Sequence, residues 1–271
     1  MRIHLLCDHK WRDLPNLAAL QIRLKQLGHH VLLSSTKDAR AMIAAFRPDC
    51  VVLNHLFSVA HRNLAKTLRN AGVAVVILPT EGAMRPEFQS LGEGEFSDFR
   101  LADLILAWSE PAAQGIRTRW GFDEKRVPVA GCNRLDFYSP KFSVAVESRE
   151  IFCSRYGLDP SRPIVTWATQ YGYAHLAEHS DSPRYHQWLR EIDDVGLRVA
   201  YERIGLNPKD VPSLFAKGRD SAAASFFALA RAMKDVQFLV KPHPIEDLDY
   251  YRRLIAASGV ANVHFCPMNY I

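Results

Sequence analysis

The sequence predicts an α/β chain of parallel strands covered by helices on both faces, and three observations predict it. Apolar runs such as Cys50–Leu53 and residues 73–78 are continuous rather than alternating, the pattern of a strand buried on both sides. Between them lie stretches of helical periodicity closed by Gly28, Pro48 and Gly72. Strand and helix alternate along the chain, so successive strands are joined by crossovers and lie parallel in a doubly wound sheet.

In order, strands are expected over 3–7, 31–34, 50–53 and 73–78, with helices over 14–27, from 36 or 37 to 46, and over 60–71. Two further strands, 104–107 and 127–130, flank a helix over 111–120. A first doubly wound domain therefore spans 1–138, and residues 139–143 read as a linker. A helix over 146–156 and the strand Ile164–Ala168 open a second α/β domain, 139–271. Residues 169–210 read as irregular or weakly helical. A helix over 221–233, a strand over 237–240, the helix Leu248–Ser258 and a strand over 263–266 follow. Three strands leave a long sheet edge open, so this domain is expected to be incomplete, continued by further chain or by a partner.

Bulk properties exclude several function classes. A net charge of +5 over 271 residues is too small for a nucleic-acid-binding protein and suits anionic small molecules. The five apolar residues before Asp8 are too few for a secretory signal, and no window approaches the roughly 18 apolar residues of a spanning helix. The five cysteines are dispersed and contain no Cys-x-x-Cys pair, as expected of free thiols in a reducing cytoplasm.

Ligands of open α/β sheets collect at the carboxyl ends of strands, so the loops after strands carry the candidates. Pro79-Thr80-Glu81-Gly82 places a carboxylate at the rim, either as a general base, Glu81, or as a cap or solvated acid. In Gly131-Cys132-Asn133-Arg134-Leu135-Asp136, Gly131 lets the backbone approach a ligand, with Asn133 beside it. Arg134 suits phosphate or carboxylate, or else pairs with Asp136 as a structural element. Lys241-Pro242-His243-Pro244 is a stiff turn entering a helix, where Lys241, His243 and backbone donors suit an anion such as a departing nucleotide phosphate, with no metal. Thr169-Gln170-Tyr171-Gly172-Tyr173 mixes hydroxyl, amide and aromatic groups of the kind that bind sugars and bases. His175-Leu176-Ala177-Glu178-His179 matches a zinc-protease pattern. The Gly-containing loop before it and Ser180-Asp181-Ser182-Pro183 after it leave little room for the sustained helix that chemistry needs, so it reads as a loop lining a cleft.

Taken in order, Pro79 to Gly82, Ala107-Trp108-Ser109-Glu110, Ala130 to Asp136 and Lys241 to Pro244 resemble the surface carbohydrate biosynthesis proteins of lipopolysaccharide and capsule clusters. These are GT-B-like and similar to Kdo transferases, and the last loop more distantly resembles that of CDP-glycerol polymerases. The resemblance covers about residues 75–266. Where relatives often read Gly-Asn-Pro-Arg-Phe-Asp, this chain has Gly131-Cys132-Asn133-Arg134-Leu135-Asp136, and their Ser/Thr-rich donor loop has no counterpart here.

The resemblance implies two Rossmann-like domains enclosing a cleft, the second holding a nucleotide-activated donor and the first meeting the acceptor. It implies a cytoplasmic glycosyltransferase, at the inner membrane face where the acceptor is a lipid-linked glycan, with a nucleotide sugar as substrate and no cofactor. A CMP-linked acidic sugar is one candidate donor. Lys241 and His243 would contact the donor phosphate, and Glu81 would lie near the reacting carbon. Thr169, Gln170, Gly131, Asn133, Arg134, Asp136 and Pro244 complete the expected binding set. Sugar-nucleotide epimerisation, polyol-phosphate transfer from CDP-glycerol and non-catalytic nucleotide-sugar binding are the alternatives.

Overall fold

The structure, a computed structural model, describes residues 1–56, 58–79, 99–194, 198, 201, 202 and 204–266. Glu81, with Thr80 and Gly82, lies outside the described residues. The chain divides into two compact units, Met1–Ser143 and Val144–Ile271.

In the first unit β1 (Arg2–Cys7), α1 (Lys10–Gln26), β2 (His30–Ser35), α2 (Ala39–Phe46), β3 (Cys50–Leu53), α3 (Val59–Asn70), β4 (Ala74–Ile77), β5 (Leu104–Ile105) and α4 (Glu110–Trp120) follow one another. The strands pair in parallel in the order β2-β1-β3-β4-β5, with Leu5 opposite Leu33 on one side and Val52 on the other. Period-two alternation sends side chains to two separate cores. Leu6, Val51, Leu53, Val75, Ile77 and Ile105 pack with Ala65 and Leu68 of α3 and Ala113 and Ile116 of α4. Ile3, Leu5, Val31 and Val52 face the other way, onto Leu17 of α1. Two buried faces are why these strands read as continuous apolar runs.

The structure moves three boundaries of this unit. Helix α1 starts at Lys10 rather than at 14, because its start is capped reciprocally: the His9 ring accepts from Arg12 N at 3.3 Å and Asp13 accepts from His9 N at 3.0 Å. Pro15 therefore sits inside the helix instead of marking its first turn. Residues 127–130 do not form a strand but a single bridge, Ala107 to Val129. Pro128 lends a carbonyl to Ala107 N at 3.0 Å but has no N–H to extend the ladder. The expected linker at 139–143 is instead wound into a 3-10 turn, Pro140–Ala145.

In the second unit α5 (Arg149–Tyr156), β6 (Ile164–Ala168), α6 (Ala174–Glu178), α7 (Pro183–Asp194), α8 (Val211–Ala232), β7 (Gln237–Lys241), α9 (Leu248–Ser258) and β8 (Val263–Phe265) follow. The described strands pair in parallel as β6-β7-β8. Central β7 is buried, with Phe238 and Val240 against Phe226, Phe227 and Ala230 of α8 and Tyr251 of α9, and Leu239 turned to Cys153 of α5. Edge strand β6 is only partly covered, Val165 being 42% exposed.

The stretch 169–210 is more helical than expected. Leu176 of α6, Trp188 and Ile192 of α7 and Val211 of α8 make a small core of their own. Helix α8 begins ten residues before the expected 221, and burial of Val211, Pro212 and Arg219 outweighs the ~1 kcal/mol that Gly218 costs within it. Among the described residues no helix is long and apolar enough to cross a membrane.

Phe238, 1% exposed, stacks edge-on to Phe226 at 5.3 Å between ring centres. Phe238→Ala is expected to destabilise the second unit by about 3–5 kcal/mol. Urea unfolding followed by the fluorescence of Trp167, whose ring lies 5.1 Å from that of Phe226, measures it. A loss under about 1 kcal/mol would contradict this packing.

Candidate functional site

At the carboxyl ends of β6 and β7 the loop 169–173 meets the turn 241–246. The centre is the buried carboxylate of Glu246, 8% exposed. Its Oε1 accepts from Thr169 Oγ1 at 2.7 Å and from His243 N at 3.2 Å, and its Oε2 accepts from the Tyr251 hydroxyl. Three donors on one carboxylate satisfy a charge that burial would otherwise make costly. Burial, and then this carboxylate, push the Tyr251 hydroxyl far above its ordinary pKa, so it stays a donor.

The network fixes what a ligand meets. Thr169 Oγ1 also accepts from His243 N at 3.3 Å, and Thr169 N donates to Lys241 O at 3.1 Å, tying the two loops together. His243 Nδ1 accepts from Ile245 N at 3.4 Å, which leaves Nε2 for an outside partner. Gly172 lies against Ile245, where a Cβ would stand 2.2 Å from Cδ1, so the glycine permits the close approach. The start of α9 is capped by its own Asp247, which accepts from Asp249 N at 2.9 Å. The N–H groups of His243, Ile245 and Glu246 are thus engaged within the protein, and the side chains at this rim include Lys241, which makes no ion pair among the described residues, His243 and exposed Gln170. Pro244 is exposed at the tip of the turn.

In the first unit Gly131 adopts φ 79°, a left-handed turn that favours glycine, after the bridge at Val129. The chain then enters a 3-10 turn, Leu135–Tyr138, through Leu135 N to Cys132 O at 3.0 Å and Asp136 N to Asn133 O at 3.3 Å. Arg134 is half-buried and Asp136 exposed. Both polar atoms of the Asn133 side chain are buried without a hydrogen-bond partner.

A second cluster, which the sequence reading passed over, sits where β1 and β3 end. Asp8 follows β1 directly, and Asn54 and His55 follow β3 directly. The parallel pairing of β1 with β3 brings them together. Asp8 Oδ2 accepts from Arg12 Nη2 at 3.1 Å and Asn54 Nδ2 at 3.2 Å, and His55 Nε2 stands 3.7 Å away. The His55 imidazole and the Asn54 amide hold the Asp8 carboxyl well below the usual range, against burial. On its other side His55 Nδ1 lies 3.2 Å from Nδ1 of buried His61, at the start of α3. Burial and then His55 lower the His61 pKa, keeping that imidazole neutral. Arg12 also pairs with Asp13, which is fully buried, at 2.6 Å. The signal was available: an acid at one strand end and a histidine at another satisfy the rim rule, but only the pairing order shows that they meet.

His175 and Glu178 lie on the short helix α6 and His179 caps it. Glu178 instead pairs with buried Arg219 at 3.1 Å. Among the described residues no three histidine, cysteine or acidic side chains are grouped to hold a metal ion.

No protein-family model and no curated protein matches the sequence. Solved structures do. The chain is similar to a UDP-GlcNAc 2-epimerase from Neisseria meningitidis bound to UDP-GlcNAc, with a TM-score of 0.59 and 13% identity over 100% of this chain and 73% of that one. It is similar to the Methanocaldococcus jannaschii UDP-GlcNAc 2-epimerase in complex with UDP-GlcNAc and UDP, with a TM-score of 0.59 and 12% identity over 98% and 73% of the two chains. A third, the Rickettsia bellii enzyme, gives 0.57 and 10% over 98% and 68%. At such identities the likeness is one of fold, and it establishes a GT-B-like α/β architecture with Rossmann-like parallel sheets. It also overturns the expectation of a glycosyltransferase, since the structures matched are sugar-nucleotide epimerases.

Proposed function

We propose that this chain is a sugar-nucleotide epimerase, acting on a UDP-linked sugar of the UDP-GlcNAc type. The observation that carries the reading is the likeness to UDP-GlcNAc 2-epimerases across both units, 100% of the chain in one case. The rims fit the chemistry such a substrate demands. Its diphosphate needs cations and hydrogen-bond donors, and Lys241 and His243 present a positive charge and an imidazole from a turn made rigid by Glu246. Asn133, with two buried polar atoms awaiting partners, and Arg134 are suited to the sugar or phosphate hydroxyls and oxygens. Thr169 and Glu246 act through position, holding His243 in place, while Gln170, Gly131, Asp136 and Pro244 shape the two loops. Glu81, after β4, keeps its proposed role as an acid–base group. Surface polysaccharide assembly is the setting in which such an activity is expected, since it consumes nucleotide sugars.

Inverting a sugar carbon requires a proton to leave one face and another to return to the opposite face. In UDP-GlcNAc the carbon at position 2 adjoins the one bearing the nucleotide. The electron pair of its C–H bond can therefore move into a C1–C2 double bond while the diphosphate departs. The protein must then bind an anion firmly and supply proton-transfer groups.

Two measurements test this. Proton NMR of the purified chain with UDP-GlcNAc should show the 2-epimer accumulating to equilibrium with no acceptor present; a spectrum unchanged after prolonged incubation at high enzyme concentration would refute the activity. Calorimetry with UDP should show Lys241→Ala and His243→Ala each weakening binding about tenfold or more, the loss expected for one charge-assisted hydrogen bond. Affinities unchanged in both would remove this turn from the nucleotide site.

A further inference from the structure

We propose that the amino-terminal end of the second unit's sheet holds a binding groove for a sugar phosphate or a similar phosphorylated polyol, separate from the rim at the carboxyl end. The inference stands apart from the epimerase reading and needs only the second unit.

Three loops meet where β6, β7 and β8 begin, and the groove among them has a volume of about 440 Å³. That is within the range of sites that enclose small metabolites. Asp159, Arg162, Lys234, Gln237, Asn262 and His264 line it. Gln237 opens β7 and Lys241 closes it, so the strand sets the groove about 13 Å from the turn that carries His243.

The walls are fixed by groups engaged within the protein. Gln237, 3% exposed, accepts from Asp159 N at 2.7 Å and donates to Asp159 O at 2.8 Å. Asn262 Nδ2 is shared among the carbonyls of Ala230 at 3.1 Å, Met233 at 3.0 Å and Val236 at 2.8 Å. Arg162 donates from Nε to Asp235 O at 3.2 Å and from Nη2 to Lys234 O, while Arg149 Nη2 donates to Arg162 O at 2.6 Å. These bonds tie the three loops to one another, so the groove is formed before a ligand arrives and little ordering opposes binding.

The charged groups in the groove divide in two. Arg162 and Lys234 make no ion pair with a carboxylate among the described residues, so two permanent cations stand at one opening. Burial lowers the pKa of half-buried His264, and the Arg162 guanidinium acts in the same direction, so the imidazole adds no charge near neutral pH. Against the cations stand two acceptors, Asn262 Oδ1 and the Asp159 carboxylate. Ser161 donates to Asp159 Oδ1 from Oγ at 2.7 Å and from N at 2.9 Å, which holds that carboxyl below its usual range and keeps it ionised. Cations suit a phosphate, through charge-assisted hydrogen bonds. A carboxylate and an amide oxygen suit hydroxyls, and a bare phosphate would meet the carboxylate with none to offer. No phenylalanine, tyrosine or tryptophan lines the groove, so nothing there stacks a nucleobase. The ligand that uses both halves carries a phosphate at one end and hydroxyls at the other.

Calorimetry of the full chain tests this with glucose 6-phosphate and inorganic phosphate as probes. Glucose 6-phosphate should bind saturably with a Kd of about 1 mM or tighter, and inorganic phosphate about fivefold more weakly or worse. Lys234→Glu changes an exposed residue without an ion pair, so folding is not at stake. It should weaken glucose 6-phosphate binding by about tenfold or more and leave UDP affinity within about twofold. Lys241→Ala, at the other end of β7, should leave glucose 6-phosphate affinity within about twofold. No saturable heat up to about 10 mM would overturn the site, and so would a loss in Lys241→Ala with none in Lys234→Glu. Inorganic phosphate binding as tightly as glucose 6-phosphate would overturn the assignment to a phosphorylated polyol. UDP binding and epimerisation are read separately, so failure of this site leaves the epimerase reading standing, and failure of that reading leaves this site standing.

Discussion

Parallel pairing is the constraint on which the rest of this molecule depends. A parallel neighbour can be reached only by crossing back over a face of the sheet, so every described strand pair, from β1–β2 to β7–β8, brings its carboxyl ends to one rim. Covering both faces with helices buries the strands and makes them apolar, which strips the sheet interior of chemistry. Polar function is thereby confined to the loops leaving the strands. Asp8, Asn54, His55, Thr169, Lys241 and His243 all lie within two residues of a strand's end.

The two rims handle charge in opposite ways. In the second unit the acid is turned inward: Glu246 is buried under a hydroxyl, a phenol and a backbone N–H, so the outward face keeps the cation of Lys241 and the imidazole of His243. In the first unit the acid is turned outward, and Asp8 keeps a third of its side chain in solvent beside His55. One arrangement favours holding an anion. The other leaves an ionised carboxylate at the rim, held by the Arg12 guanidinium and the Asn54 amide.

Much of the fold was legible in the sequence, and the misses have local causes. Cys50–Leu53, Ile164–Ala168 and Leu248–Ser258 were readable to the residue because apolar runs and a terminal glycine bound them. Residues 127–130 carried the right apolar character, but one proline removes the donor a second ladder bond needs. The early start of α8 depended on the packing of Val211 and Arg219, which no window of propensities contains. The site divides along the same line. Lys241 to Pro244 stood out because a cation and an imidazole adjoin in sequence, whereas Asp8 and His55 lie 47 positions apart and meet only through the register of β1 on β3.

The same reasoning explains why sequence led to glycosyl transfer when the matched folds are epimerases. Both chemistries begin by gripping a nucleoside diphosphate, and a lysine and a histidine on a proline-stiffened turn suit that grip equally in either. What separates them is the fate of the sugar: a transferase must position an acceptor hydroxyl, whereas an epimerase must remove and replace a proton on the sugar itself. The distinguishing groups are therefore proton-transfer groups rather than anion-binding ones. Asp8 after β1 and His55 after β3, the cluster the sequence reading passed over, are single residues at separate strand ends. A linear motif records what one loop offers and not what two strand ends bring together, because the second depends on the order in which strands pair.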